Sequence, residues 1–431
     1  VICVSTRGRA PAVSFRKAIM AGLAPDGGLY VPQQIPRLSD GWWQRQRGRF
    51  FQDVAVAIAE ELAGDEFDPG VLTALVRDAL NFPVPIVKLD DRLSVLELFH
   101  GPTFAFKDFG ARTLARLMSH LNADPQPLTV LVATSGDTGG AVAHAFFGVA
   151  GTRVVVLYPE GQVSDVQEAQ FTTLGGNVTA IAVRGSFDDC QRLAKEAFAD
   201  SAVTARVRLT SANSISLGRL LPQVFYYAWA ALQFDEPPVL SVPSGNFGNL
   251  AAGVMAWKLG APIAGFSAPT TINDTFPRFL ESGRVEPRPS VPTLANAMDV
   301  GNPSNLERLQ WLFDADVQAM RQLITSTAHT DAEVRTAMVE LRDSFDYIAD
   351  PHTAIAFLGT RHPPTLASER ASSGATGSLF LATAHPAKFR DVVEPVIRET
   401  VQLPAALADT LTRGRVAQHI GPNLAELVEL L

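Results

Sequence analysis

Short apolar runs at residues 94–99, 129–133, 153–158, 178–183, 239–242, 262–267 and 378–383 are rich in Val, Leu and Ile and carry few alternating polar residues. Such strands are buried on both faces, which requires helices on each side of a sheet. Helical periodicity fills the intervals. At 112–121, Leu114, Leu117, Met118 and Leu121 share a face; 187–198 opens behind a Ser186 cap; 216–233 continues the alternation. Strand and helix in turn predict a parallel α/β architecture. Before residue 80 the pattern is helical, at 50–62 and 71–80, with turns at Gly64-Asp65 and Asp68-Pro69-Gly70 and a hinge at 81–85. Residues 284–305 read as an ordered loop and 361–377 as an exposed connection. The expected organisation is a mainly helical N-terminal segment (1–85), a smaller α/β domain (86–235) and a larger α/β domain (236–431), with the first strands of the middle part open to either domain.

The composition, 47% hydrophobic and 19% charged over 431 residues, supports large buried cores and excludes a disordered chain. A net charge of −8 with no Lys/Arg-rich block argues against nucleic-acid and anionic-membrane partners. The densest basic stretch, Arg45, Arg47 and Arg49 beside Trp42 and Trp43, reads as a solvated surface turn. Cys3 and Cys190 fit neither a disulfide framework nor a metal cluster, so no metal is predicted. No apolar run approaches the ~20 residues of a membrane helix, and no signal-peptide pattern is visible. A cytoplasmic location is the expectation.

Chemistry concentrates at one lysine and three loops. Lys107 follows a Gly-Pro turn and stands among Phe104, Phe106 and Phe109. Desolvation there would lower the amine's pKa and suit it to forming a Schiff base, although a lysine snorkelling to the surface has the same local sequence. The loop Thr134-Ser135-Gly136-Asp137-Thr138-Gly139-Gly140 joins a strand to a helix and offers N–H groups and hydroxyls to an anion. A second loop, Pro243-Ser244-Gly245-Asn246-Phe247-Gly248-Asn249, reads as a backbone phosphate cradle. It lacks the Gly-Lys-Ser/Thr ending of a P-loop and the third glycine of a dinucleotide fingerprint. Thr383 in the third loop ends a strand, where α/β sheets bind ligands. Each loop alone is ordinary turn chemistry. A desolvated lysine, a phosphate cradle and a strand-end hydroxyl together are what a pyridoxal-phosphate enzyme requires.

Ordered motifs extend this along the chain: LFHGPTFAFKDFG (98–110), ATSGDTGGAVAHAF (133–146), TLGGN (173–177), SANSIS (211–216), SVPSGNFG (241–248), NDTFPRFL (273–280), NAMDV (296–300) and TAHPAKF (383–389). With these the chain resembles the threonine synthase family of fold type II, tryptophan-synthase-β-like enzymes. The resemblance implies two open, parallel-type α/β domains with the active site between them, and pyridoxal 5′-phosphate as cofactor. It makes Lys107 the cofactor-bearing catalytic lysine. Gly245, Asn246, Phe247, Gly248 and Asn249 would hold the cofactor phosphate, Thr383 the pyridine nitrogen, and Asp137 the ring and its 3′-hydroxyl. Thr134, Ser135, Thr138, Asn213, Ser214 and Arg219 would hold the substrate. Ser216 stands where the family pattern has asparagine, and Gly140 where it has alanine.

The implied reaction is that of a carbon–oxygen lyase converting O-phospho-L-homoserine and water to L-threonine and phosphate, the last step of threonine synthesis. Arg219 is the first candidate for the substrate phosphate because a planar guanidinium grips phosphate with two donors. Arg112, Lys258 and Lys388 stand behind it, and His100, His144, His352 and His385 are candidate proton shuttles. A same-fold dehydratase or phosphate-eliminating lyase, or a silent metabolite-binding protein, would share part of the pattern. The chain is expected to act as a monomer or homodimer.

Overall fold

The computed structural model describes residues 1–364 and 377–431, so most of the connection read at 361–377 lies outside the described residues. Fourteen strands are assigned in chain order among them. They are β1 (Ile2–Ser5), β2 (Val13–Ser14), β3 (Tyr30–Pro32), β4 (Ile86–Lys88), β5 (Leu93–Glu97), β6 (Leu128–Ala133) and β7 (Thr152–Pro159), then β8 (Val178–Val183), β9 (Arg208–Thr210), β10 (Val239–Ser241), β11 (Gly265–Ser267), β12 (Ile324–Thr325), β13 (Ser378–Ala382) and β14 (Gln418–Ile420).

Two sheets carry the architecture. One runs β12-β11-β10-β13-β5-β4 and the other β14-β8-β7-β6-β9. Every pairing is parallel except β4 against β5. All six residues of β6 are buried, as its unbroken apolar run predicts for a strand covered on both faces. Strand membership does not follow chain order. β4 and β5 belong to the six-stranded sheet, and β14 returns from the far end of the chain to flank β8.

The first 85 residues hold helices at Phe15–Ala21, Asp40–Gln46, Phe51–Ala63 and Val71–Ala79, and also an antiparallel sheet, β2-β1-β3, that the helical reading misses. Trp42 and Trp43 are a correction. They are buried in the helix Asp40–Gln46, and Arg47 donates to the carbonyls of Leu232 and Phe234 rather than lying in a solvated turn.

The helix Leu217–Ala231, buried over nearly its whole circumference, packs on the helices Gly248–Lys258, Lys107–Leu121 and Phe51–Ala63. Gly110 permits one of these contacts: a β-carbon there would lie 2.5 Å from the carbonyl oxygen of Arg219. The Lys107 helix and the Arg219 helix therefore touch backbone to backbone. Among the described residues, no helix is long and apolar enough to cross a membrane.

Candidate active site

Lys107 is placed by an extension of the sheet. β5 and β13 pair in parallel, and the chain after β5 keeps to its neighbour: Leu98 N–H donates to Ala382 at 2.9 Å and Phe106 N–H to Thr383 at 2.8 Å. Ala105 and Ala384 form an isolated bridge. The loop turns at Phe104, whose φ of 57° is rare for a residue with a side chain. Lys107 is then the first residue of the helix Lys107–Leu121, with Thr383 across from it at the C-terminal end of the sheet. Asp108 ties the turn together, accepting from Thr103 N–H at 2.9 Å and Thr103 Oγ1 at 2.7 Å.

The Lys107 side chain is 15% exposed, with its Nζ 3.7 Å from Asp137 Oδ2 and 5.0 Å from the centre of the Phe106 ring. Phe109 is not part of that wall; it packs on Phe51, Phe82 and Tyr226. Burial depresses the Lys107 pKa, Asp137 works against that, and Lys388 and Arg219 add to it as like charges. Asp137 opens the helix that follows β6. Its Oδ1 accepts from Lys388 Nζ at 2.6 Å and from Gln167 Nε2 at 2.8 Å. Burial would raise its pKa, but Lys388 and Lys107 as neighbouring cationic groups, with the bonds from Lys388 and Gln167, outweigh burial and hold it well below the usual carboxylate range. Within the same loop Thr134 Oγ1 accepts from the N–H groups of Gly136 and Gly139, so its hydroxyl shapes the turn. Ser135 and Thr138 remain partly exposed.

The cradle follows β10. Phe247, with φ 58°, caps the helix Gly248–Lys258 and packs its ring 4.5 Å from that of Phe276. The left-handed residue of the turn is thus the phenylalanine and neither glycine. Gly245 is required for another reason: a β-carbon there would stand 2.6 Å from the Cα of Met298. Asn246 is held at both ends, donating to Ser214 Oγ and accepting from Ser304 N–H, each at 2.6 Å. Asn249 Oδ1 accepts from Tyr226 at 2.5 Å and Tyr227 at 2.7 Å. The first N–H groups of the helix have no partner within it and face the turn.

Among the described residues, several buried polar atoms in this region lack a hydrogen-bond partner: Asn213 Oδ1, Ser216 Oγ, Arg219 Nε and Asn249 Nδ2. Unsatisfied buried donors are costly in a folded chain and mark places where a ligand completes the bonding. Arg219, 4% exposed, spends Nη1 on the carbonyl of Ala212, and burial pushes its pKa down to about 10. The other cationic candidates are engaged elsewhere. Arg112 donates to Ala79, Asp78 and Asn81, Lys388 is bonded to Asp137 and to the Thr103 carbonyl, and Lys258 stands at the opposite end of the cradle helix. The histidines have structural partners or none. His100 pairs with Glu97, and His352 bridges Asp350 and the Ala297 N–H. His385 Nδ1 caps Ala387, and His144 Nε2 is buried without a partner among the described residues. Burial depresses both His385 and His144 to about 4.

Gln167, Gln170, Asn305 and Arg308 belong to this region and were not predicted. Arg308 is fully buried and sends its donors to the Tyr30, Ser214 and Ile215 carbonyls and to Asn305 Oδ1, with no carboxylate partner among the described residues. A lone arginine on a helix carries no sign in sequence that it is buried.

Three family models match end to end: Threonine synthase N terminus over residues 3–80, Pyridoxal-phosphate dependent enzyme over 82–378, and Threonine synthase, C-terminal over 365–430. The chain belongs to the threonine synthase family. It is 41% identical to threonine synthase of Escherichia coli (strain K12) over 423 residues, 97% of this chain and 96% of the relative. It is 44% identical to that of Serratia marcescens over 400 residues, covering 92% and 91%. The crystal structure of the Escherichia coli threonine synthase superposes with a TM-score of 0.91 at 39% identity, covering 100% of this chain and 99% of that one. A PLP-bound threonine synthase from Brucella melitensis gives 0.91 at 36% identity, covering 100% and 98%. The fold is therefore that of the fold type II enzymes, and the cofactor is pyridoxal 5′-phosphate. The residues present fit it: a half-buried amine, a helix N-terminus behind a tight turn, and buried donors still free to bond.

Proposed function

We propose that this chain converts O-phospho-L-homoserine and water to L-threonine and phosphate, in the cytoplasm, as a monomer or homodimer. The reading is carried by the convergence of a desolvated Lys107 with unpartnered buried donors on Arg219 and Asn249, in a chain with full-length likeness to threonine synthases. Lys107 would hold the cofactor covalently, the 245–249 turn and helix N-terminus its phosphate, and Thr383 its ring nitrogen. Asp137, within reach of the Lys107 nitrogen, would face the ring's 3′-hydroxyl. When bound, the cofactor supplies an electron sink for the bonds at Cα and Cβ.

With the cofactor and substrate bound, the Lys107 amine would take the Cα proton and then one from Cβ, return one to Cγ once phosphate has left, and return one to Cα after water has added at Cβ, with water's remaining proton going to the released phosphate. Arg219 Nε, buried and free, would bind the phosphate that leaves, with Asn213, Ser214 and Ser216 lining the approach. Thr134, Ser135 and Thr138 would position the substrate's carboxylate at the start of their helix. The Ser216 hydroxyl, buried and without a partner among the described residues, would be free to bond the substrate there.

The test is product analysis. Purified protein supplied with phosphohomoserine should release threonine and phosphate in equal amounts. Release of 2-oxobutyrate in place of threonine would assign a lyase of the same fold.

A further inference from the structure

Asp137 lies between two lysines, and only one of them is close enough for a tight bond. Lys388 Nζ is 2.6 Å from Oδ1, while Lys107 Nζ is 3.7 Å from Oδ2. The Lys388 side chain is fully buried and gives a further bond to the carbonyl of Thr103 at 2.9 Å. Thr103 in turn holds Asp108 at the start of the Lys107 helix, and its carbonyl also accepts from Gln170 at 3.0 Å. Lys388 rides on the short turn Pro386–Phe389 behind β13, whereas Asp137 follows β6, so the pair joins the ends of both large sheets.

We infer that Lys388 is a positioning residue for the reaction: by taking the Asp137 carboxylate for itself, it keeps that carboxylate from holding Lys107 as an ammonium. A buried carboxylate beside one lysine forms a mutual ion pair and raises the amine's pKa. Beside two, its charge is already neutralised, and burial dominates at the second. The direction at Lys107 agrees: burial lowers it, Asp137 raises it, and Lys388 and Arg219 lower it again. The other titratable groups that feel Lys388 are Asp108, His144 and His385. Burial depresses both histidines to about 4, so neither carries charge near neutral pH, while Asp108, raised to about 6, is a carboxylate there whose oxygens are taken by the Thr103 N–H and hydroxyl. Two nearby amines, one lowering the other, are a recognised route to a nucleophilic lysine. Here the carboxylate between them bonds Lys388 at 2.6 Å and leaves Lys107 at 3.7 Å.

This inference rests on the assignment of Lys107 as the cofactor-bearing lysine, and the experiment separates the two. Borohydride reduction of the holoenzyme followed by peptide mapping should find the cofactor on Lys107; any other lysine sinks that assignment. With it in place, the rate of cofactor capture by the full-length apoprotein is followed against pH through the visible band. Lys388→Gln retains donors for Asp137 and Thr103 but removes the charge, and its midpoint should rise by roughly one pH unit. Lys388→Arg keeps the charge and should titrate like the parent. An unmoved midpoint in folded Lys388→Gln, whatever its loss of stability, overturns the inference. If that variant does not fold, amine-directed labelling of the parent apoprotein against pH decides. Lys107 should react with a midpoint below that of an ordinary exposed lysine, and an ordinary lysine midpoint at Lys107 overturns it.

Discussion

Asp108 is buried beneath the turn that delivers Lys107, and burial raises its carboxyl from 3.8 to about 6 against the pull of the Thr103 bonds. The folded chain therefore keeps this proton at a pH where the unfolded chain has released it. The associated stability is complete below about pH 4 and is lost as pH rises through about 6. The parent's unfolding free energy, referred to that of Asp108→Asn, should fall by about 3 kcal/mol at most between pH 4 and 7. Matched denaturant melts check this. At Lys107 the expectation is chemical: Lys107→Ala should lose threonine formation by about 10³-fold or more while its melting temperature stays near the parent's. Retained turnover would remove it from the mechanism. Arg219→Lys should raise the Michaelis constant for phosphohomoserine roughly 30-fold, from the loss of about 2 kcal/mol of charge-assisted bonding. The cofactor spectrum should be unchanged. Lys107 was legible in sequence because phenylalanines and a Gly-Pro turn flank it along the chain, although one of them, Phe109, packs elsewhere. Lys388 was read there as a candidate for phosphate, because one-dimensional order does not show that Asp137 occupies it.

Elements hold the cradle more than its own residues do. The Asp350 carboxylate accepts from His352 Nδ1 at 2.6 Å, His352 Nε2 accepts from Ala297 N–H at 3.3 Å, and Met298 next to it abuts Gly245. His352→Ala should therefore weaken cofactor retention by about tenfold, the loss of one buried bond, although the histidine stands behind the cradle wall. Dialysis followed by absorbance reads this, and full retention would show that the 296–298 turn holds itself. Gly245→Ala should lose cofactor more severely, because the neighbour at 2.6 Å is backbone and cannot rotate away. The cradle's position was readable from its glycines and the strand before it, but not its strained residue. Nothing in the string Ser-Gly-Asn-Phe-Gly marks Phe247 as the left-handed one, since packing on Phe276 fixes it there. The N-terminal sheet escaped for a related reason. β1 to β3 are two to four residues long, too short for alternation to register.

At the scale of the molecule, the five-stranded sheet depends on the segment around β14. Gln418 pairs with Ile181 and Ile420 with Val183, Arg153 donates to the Leu430 and Leu431 carbonyls, and Leu427 and Ile420 close an apolar cluster with Val155, Ile181 and Leu193. A chain ending at Arg415 would leave β8 as a bare edge with that cluster uncovered. It should aggregate on expression or melt well below the parent, as light scattering and calorimetry would register; a monodisperse product with the parent's melting temperature would show β14 to be ornamental. Parallel α/β order was evident from the buried runs, whereas this return was not, because a three-residue strand with two exposed positions has no pattern of its own. The return also sets a timetable for biosynthesis. Because β8 emerges from the ribosome long before residue 420 is translated, its outer edge must wait unpaired while four of the six strands of the other sheet, β10 to β13, are made. The nascent chain is thus exposed to mispairing at β8 until residue 420 has emerged, and slowing translation between β8 and β14 should cost more folded protein than slowing it before β8.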